Sequence, residues 1–312
     1  MKSEHIFDLI GRTPHVRVKC PELHDAALYV KLEGQSPTGS IKDRTSIGLI
    51  QQAVAKKDLR AGMTILDASS GNFACALAYH AKILGYQARV ICGSKLTAEK
   101  RDFIIHYGAH LQMMGDFTIQ GNEYCRWLIK DQPGQFCFLD QLHNWGNPKA
   151  HFETTAPEIL GDFPGLAMVA GSLGTGGSLL GIGQYMKQHS PSTKIVAVQS
   201  APGTRLPGTA SLEDGDYITP FIEKGYSDRI FDDTVKVTEA QAIAASMRLR
   251  NQGIFCGLQT GAVLHAALSV ATEQKIKGEI VIVSGDSGWK NMEKLLKTQT
   301  DRQGDLELSA KA

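Results

Sequence analysis

Short apolar runs separated by longer, partly polar stretches set the rhythm of this chain. Residues 28–31, 64–66, 89–92, 136–139, 166–170, 195–199 and 280–283 are such runs. Each is short, apolar and bounded by turn residues, so each reads as a buried strand. Stretches such as 75–84 and 179–187 read as helices between them. Strand alternating with helix predicts an open α/β fold with mostly parallel sheets. No internal repeat is visible, and the residues themselves mark no domain boundary.

Composition narrows the function classes. A length of 312 residues with 42% hydrophobic content can bury a core large enough for two lobes. Lys+Arg 33 against Asp+Glu 32 leaves a net charge of +1, which gives no reason to invoke nucleic acid or an anionic membrane. The segment Met1-Lys2-Ser3-Glu4-His5 lacks the apolar centre of a signal peptide, and no apolar run reaches membrane-spanning length. Six cysteines are scattered without a Cys-x-x-Cys pair. Cys75, Cys92, Cys137 and Cys256 lie in apolar stretches and read as small buried hydrophobes, so a cytoplasmic protein with reduced thiols is expected. His80, His106, His110, His143 and His151 show no metal-ligand spacing, and no metal is predicted.

Three motifs carry chemistry. Ser40-Ile41-Lys42-Asp43-Arg44 follows the turn Pro37-Thr38-Gly39 and opens a predicted helix. An amine there feels a backbone dipole that disfavours its protonated form, which suits a Schiff-base lysine. Gly171-Ser172-Leu173-Gly174-Thr175-Gly176-Gly177-Ser178 links a predicted strand to a predicted helix. Its glycines let an anion approach free N–H groups at the helix start, and Thr175 and Ser178 add hydroxyls. No acidic residue stands where a dinucleotide ribose would need one, and no Gly-Lys-Ser/Thr ending is present, so a single phosphate fits best. Asp67-Ala68-Ser69-Ser70-Gly71-Asn72-Phe73-Ala74 offers hydroxyls, amides and a side-chain amide at another helix start. That chemistry suits a carboxylate, although an N-cap and turn would look the same.

Together these motifs resemble the cysteine synthase and cystathionine β-synthase family of fold-type II pyridoxal-phosphate (PLP) enzymes. The likeness runs from Asp8-Leu9-Ile10-Gly11-Arg12-Thr13-Pro14 to Ser284-Gly285-Asp286-Ser287-Gly288, and includes Asn147-Pro148-Lys149-Ala150-His151 and Cys256-Gly257-Leu258-Gln259-Thr260-Gly261-Ala262. The resemblance implies a tryptophan synthase β-like fold of two open twisted α/β lobes with PLP in the cleft. A smaller lobe over residues 37–148 would close on the substrate, and residues 1–36 and 149–312 would form the larger, phosphate-binding lobe. Lys42 would carry PLP, Asn72 would face its 3′-oxygen, and Gly174, Thr175, Gly176, Gly177 and Ser178 would cradle its phosphate. Ser287, or Ser284 in the alternative register, would face the pyridine nitrogen. Ser69, Ser70, Gly71, Phe73 and Gln141 would receive the substrate carboxylate, with Gly208 on the loop above.

The activity implied is β-replacement on an O-activated L-serine through an aminoacrylate, with cysteine synthase first. Glutamate or another amine, homocysteine or cyanide could replace sulfide. A β-eliminating lyase and a non-enzymatic binding protein are the remaining readings. A homodimer and a serine acetyltransferase partner are family expectations. Phe73 and Ala74 depart from the usual Thr-Gly of the carboxylate loop, and Trp289-Lys290-Asn291 departs from the usual ending. Phe73 stands equally for a packing change or for an altered acceptor. Arg205, near Gly208, is either a phosphate partner or a solvated cation.

Overall fold

In chain order the strands are β1 (His15–Val18), β2 (Ala26–Leu32), β3 (Thr64–Ala68), β4 (Gln87–Cys92), β5 (His110–Met113), β6 (Phe136–Phe138), β7 (Leu166–Ser172), β8 (Lys194–Ser200), β9 (Asp233–Val237) and β10 (Gly278–Ser284). The computed structural model describes residues 2–94, 96–292 and 295; the polar tail after Thr298, expected to be loose, lies outside them. Two sheets form, a six-stranded one in the order β1-β2-β10-β7-β8-β9 and a four-stranded one in the order β5-β4-β3-β6. The smaller sheet draws only on residues 64–138, and the larger on residues to either side. β1 pairs antiparallel with β2, and every other described strand pairing is parallel.

β10 shows why the buried runs read as continuously apolar. It lies between β2 and β7, and its side chains alternate between two cores. Ile280 and Ile282 join Val30, Met168 and Val196 on one face, under the helix Leu258–Glu273. Val281 and Val283 join Leu179, Ile182 and Met186 on the other. Parallel strands covered on both faces need apolar residues at every position. The smaller sheet is built likewise: Ile65 and Val90 face Leu49, Phe73 and Leu77, while Leu66, Ala68 and Ile91 face Cys125 and Leu128. β1, β5 and β9 were not among the apolar runs. All three are edge strands with mixed exposure, so polar residues interrupt the apolar pattern.

A buried ion network fixes the helix Lys42–Ala55 to the larger sheet. Arg44 places Nε 2.7 Å and Nη2 2.8 Å from the two oxygens of Glu33, and Nη1 and Nη2 each 2.7 Å from those of Glu158. Lys31 donates to Glu158 at 2.8 Å and to the Thr13 carbonyl at 3.1 Å. Thr13 donates to Glu33 at 2.6 Å, and the Arg12 amide donates to Glu158 at 3.0 Å. Lys31, Glu33 and Arg44 are buried, and the two cations match the two carboxylates. Burial opposes the Glu158 charge, but hydrogen bonds and the field of Arg44, with Lys31 and Arg12 adding theirs, outweigh it and hold its carboxyl at about 2.

Since that value lies below the ordinary 4.5, the group contributes stability above pH 4.5 that is lost as pH falls towards 2. At 1.36 kcal/mol per unit the contribution is about 3 kcal/mol. Glu158→Gln is therefore expected to cost about 3 kcal/mol near neutral pH. Urea unfolding should show the gap between variant and parent closing as pH drops through this window.

Candidate active site

A cavity of about 1290 Å³ opens where the carboxyl ends of β3, β6, β7 and β10 meet the helix that starts at Lys42. Lys42, Ser69, Ser70, Gly71, Asn72, Phe73, Gln141, Gly174, Thr175, Gly176, Ser178 and Gly208 all line it. Gly177 lies just behind, as the first residue of the helix Gly177–His189.

Lys42 is held from both sides of its turn. The Ile41 amide donates to the Gly285 carbonyl at 2.9 Å, Ser40 bridges to Asp286, and the Lys42 amide donates to Ser40 Oγ at 3.3 Å. Burial lowers the amine from its usual 10.5 to about 8. The helix terminus had been the expected cause, but desolvation is what acts here.

The glycine-rich loop is shaped by close approaches. A Cβ on Gly174 would lie 2.8 Å from the Gly208 carbonyl, and one on Gly177 would lie 2.5 Å from the Asn147 amide. Gly176 has φ +81°, and a Cβ there would meet Ile222 at 2.6 Å. The first-turn N–H groups of the following helix lack intrahelical acceptors, so this loop can hold an anion. Thr175 Oγ1 accepts from Asn147 Nδ2 at 3.2 Å and from the Gly177 amide at 3.3 Å. Thr219 Oγ1 donates to the Thr175 carbonyl at 2.5 Å.

His151 ties this loop to the lysine helix. Its Nε2 lies 2.9 Å from Thr45 Oγ1 and 3.1 Å from Ser178 Oγ, and its Nδ1 lies 2.9 Å from Thr155 Oγ1. Burial, then the charges of Lys42 and Arg44, keep it well below the ordinary histidine range, so it is neutral. It occupies the first position of a π-helical turn, His151–Thr155.

The second loop rests on β4. Ser69 N–H donates to the Ile91 carbonyl at 2.9 Å, and Ser70 Oγ accepts from the Gly93 amide at 2.7 Å. The Ser70 hydroxyl hydrogen stays free to donate. Gln141 donates from Nε2 to the Ala68 carbonyl at 3.0 Å and from its backbone amide to Asp67 at 3.1 Å. Phe73 borders the cavity, but its ring is only 2% exposed and packs with Leu49, Ile65 and Leu77. Its replacement of a hydroxyl residue is thus matched by core packing, and the fully buried Ala74 belongs to the same core.

The end of β10 places its polar residues differently from the sequence reading. Ser287 is not among the residues lining this cavity; it faces a separate depression of about 790 Å³ with Phe255 and Trp289. Its amide donates to the Gly39 carbonyl at 3.1 Å. Ser284 is buried with its hydroxyl 2.9 Å from that of Thr260. Successive residues of extended backbone face opposite ways. Asp286 is the residue that forms the cavity wall, accepting from Asn72 Nδ2 at 2.8 Å and from Asn291 Nδ2 at 3.1 Å. Burial raises its carboxyl above the usual range. Arg205 lines the mouth and is paired with Asp216 at 2.6 Å. Sequence reasoning did not single out Asp286, Asn147, Thr219 or Gln259, which reach the site from four separate segments.

The five buried cysteines take no part in nucleophilic chemistry here. Burial pushes Cys92 and Cys256 up to about 12 and Cys137 to about 11, and raises Cys75 and Cys125 as well. Among the described residues no group of three or more His, Cys, Asp or Glu side chains is placed to hold a metal.

Known proteins share this arrangement. The family model described as pyridoxal-phosphate dependent enzyme matches residues 6–286. Cysteine synthase B of Pseudomonas aeruginosa is 35% identical over 272 residues, covering 86% of this chain and 89% of that protein. O-ureido-L-serine synthase of Streptomyces lavendulae is 33% identical over 306 residues, covering 96% and 94%. A crystal structure of O-ureido-L-serine synthase superposes with a TM-score of 0.83 at 30% identity over 94% of each chain. On this evidence the chain belongs to the pyridoxal-phosphate dependent enzymes, within the cysteine synthase group.

Proposed function

We propose that this chain catalyses PLP-dependent β-replacement on an O-activated L-serine, with cysteine formation from sulfide as the leading reaction. The observation that carries this reading is the convergence, on one cavity, of a desolvated lysine, a glycine-built anion loop and a hydroxyl- and amide-rich loop. The residues fit the cofactor. An added Cβ at Gly174, Gly176 or Gly177 would strike Gly208, Ile222 or Asn147, so the loop keeps its tight path and bare N–H groups only with glycine, and Asn72 keeps a buried Oδ1 with no partner beside Asp286.

Lys42 would bond the cofactor aldehyde, Gly174 to Ser178 would hold its phosphate, and Asn72 would reach its ring oxygen. When bound, PLP supplies the electron sink that makes the substrate Cα–H acidic and lets the β-substituent leave. The protein does the rest. Ser69, the free Ser70 hydroxyl, the Gly71 amide and Gln141 orient the substrate carboxylate, and Gly208 keeps the loop above them close. Lys42, as a neutral amine, takes the proton from Cα and later returns it. Closure of the smaller lobe, residues 37–148, would shut water out. The six cysteines, all free, support a reduced, cytoplasmic setting. A homodimer and a serine acetyltransferase partner complete the reading, and the mass in solution with and without that enzyme tests both.

The purified protein is expected to be yellow. Its absorbance should change on adding O-acetylserine, O-phosphoserine or serine alone, then revert as sulfide yields cysteine. A colourless protein, or a coloured one inert to all three, would sink this function. Because the amine is neutral only above about 8, cofactor-free protein should take up PLP faster as pH rises, levelling off past that value. Gly177→Ala would drive a methyl against Asn147. An overpacking cost of about 1–3 kcal/mol corresponds to about five- to 150-fold weaker PLP binding, measurable by fluorescence titration of the cofactor-free protein.

A further inference from the structure

A carboxylate, an imidazole and a phenol stand in line at the mouth of the cavity. Asp140 and His143 flank Gln141 on the loop after β6, whereas Tyr217 comes from the segment between β8 and β9. His143 Nδ1 lies 2.8 Å from Asp140 Oδ1, and His143 Nε2 lies 2.7 Å from the Tyr217 hydroxyl. Tyr217 lines the same cavity as Lys42 and Gln141. Nδ1 also lies 3.0 Å from Arg126 Nη2, but the Asp140 carboxylate is nearer at 2.8 Å and can only accept, so the imidazole hydrogen is assigned to Nδ1, and Nε2 accepts from the phenol. Asn122 Nδ2 donates to Asp140 Oδ1 at 2.8 Å, and Arg126 pairs with its Oδ2. Asp140 itself has φ +55°, an uncommon conformation outside glycine, and its carbonyl accepts from the His143 and Asn144 amides at 3.0 and 2.8 Å.

Nothing in the β-replacement scheme above uses these three residues. We propose that Asp140, His143 and Tyr217 form a proton relay that deprotonates a neutral O–H, N–H or S–H nucleophile, which opens the site to such acceptors alongside hydrosulfide. The proposal rests on the β-replacement reading and names the acceptor class for that same site. In the step, the nucleophile X–H bond breaks and its electron pair forms the C–X bond at the substrate β-carbon. The proton passes to the Tyr217 oxygen while the phenol proton passes to His143 Nε2, leaving an imidazolium against Asp140. The electron pair displaced from the β-carbon is taken up at Cα by the proton that Lys42 returns. His143 then loses its proton to solvent, to which its side chain is 23% exposed.

The charged groups around the relay set its balance. The Asp140 carboxylate stands 2.8 Å from Nδ1, and the Arg126 guanidinium brings Nη2 to 3.0 Å from the same atom. Asp67, near Asp140, is buried and held well above the usual carboxylate range, by burial first and then by the Asp140 charge. Hydrosulfide reaches the cleft already deprotonated and gains nothing from a base. A neutral acceptor gains the 10²–10⁴-fold that general-base catalysis typically supplies, by order of magnitude about a hundredfold or more.

Stopped-flow measurements on the PLP-loaded enzyme test this. The protein is first mixed with the O-activated serine that changes its absorbance, and the change is then discharged with hydrosulfide, homocysteine or hydroxyurea. Hydroxyurea is the acceptor whose product would be O-ureido-L-serine. For Tyr217→Phe and His143→Gln the ratio of neutral-acceptor to hydrosulfide discharge rates should fall about a hundredfold below wild type. A ratio within twofold of wild type in both variants overturns the relay, as does a wild type discharged by hydrosulfide but by neither neutral acceptor. A wild type whose absorbance no O-activated serine changes overturns the β-replacement reading itself, and the relay with it.

Discussion

Lys42 is positioned by charges it never touches. Arg44 sits two residues beyond Lys42 on the same helix and is clamped between Glu33, at the end of β2, and Glu158, on the helix Ala156–Asp162. A guanidinium shared by two carboxylates tolerates little rotation, because each planar pair fixes both distance and angle. The first turn of the helix is therefore referenced to the larger sheet, although the rest of the helix packs into the core of the smaller one through Leu49, Ile50 and Ala53. Buried charge is costly unless fully partnered. Here the two carboxylates receive Thr13 and Arg12 as well as the cations, so the network constrains geometry without leaving a charge bare.

From that reference point the cleft follows from parallel strand ends. Strands whose carboxyl ends point into one crevice deliver loops and helix starts to it, and both sheets do so here. His151 converts adjacency into rigidity. Kept neutral by burial and by two nearby cations, it holds hydroxyls of the lysine helix and the anion loop at once. A charged ring there would add a third cation beside Lys42 and Arg44, and the low-dielectric surroundings forbid that.

What was legible in the sequence is what is local. Lys42, the Gly174–Ser178 turn and the Ser69–Asn72 loop each declare themselves within a few residues, because a helix start and a close backbone approach need particular residue types in order. The central strands were legible for a similar reason, since burial on both faces leaves an uninterrupted apolar run. The edge strands β1, β5 and β9 were not, since solvent on one side lets polar residues in. Nor does spacing reveal convergence: Asp286, Asn147, Thr219 and Tyr217 are ordinary polar residues until the fold gathers them. Ser287 shows the sharpest limit. Just past β10, Asp286 borders both the cleft and the depression beside it, whereas its neighbour Ser287 borders the depression alone.

The hydrogen bond from Asn72 to Asp286 joins residues that belong to different sheets, one at the start of the helix after β3 and one just past β10. The Asn72 amide nitrogen carries two hydrogens, so an oxygen that enters the cleft can take the second while the first stays on that carboxylate. Asp286 has Asn291 as a second donor, and burial raises its affinity for a proton. Occupancy of the cleft and the apposition of the two sheets then lean on one amide group, which an internal clasp and a guest can share.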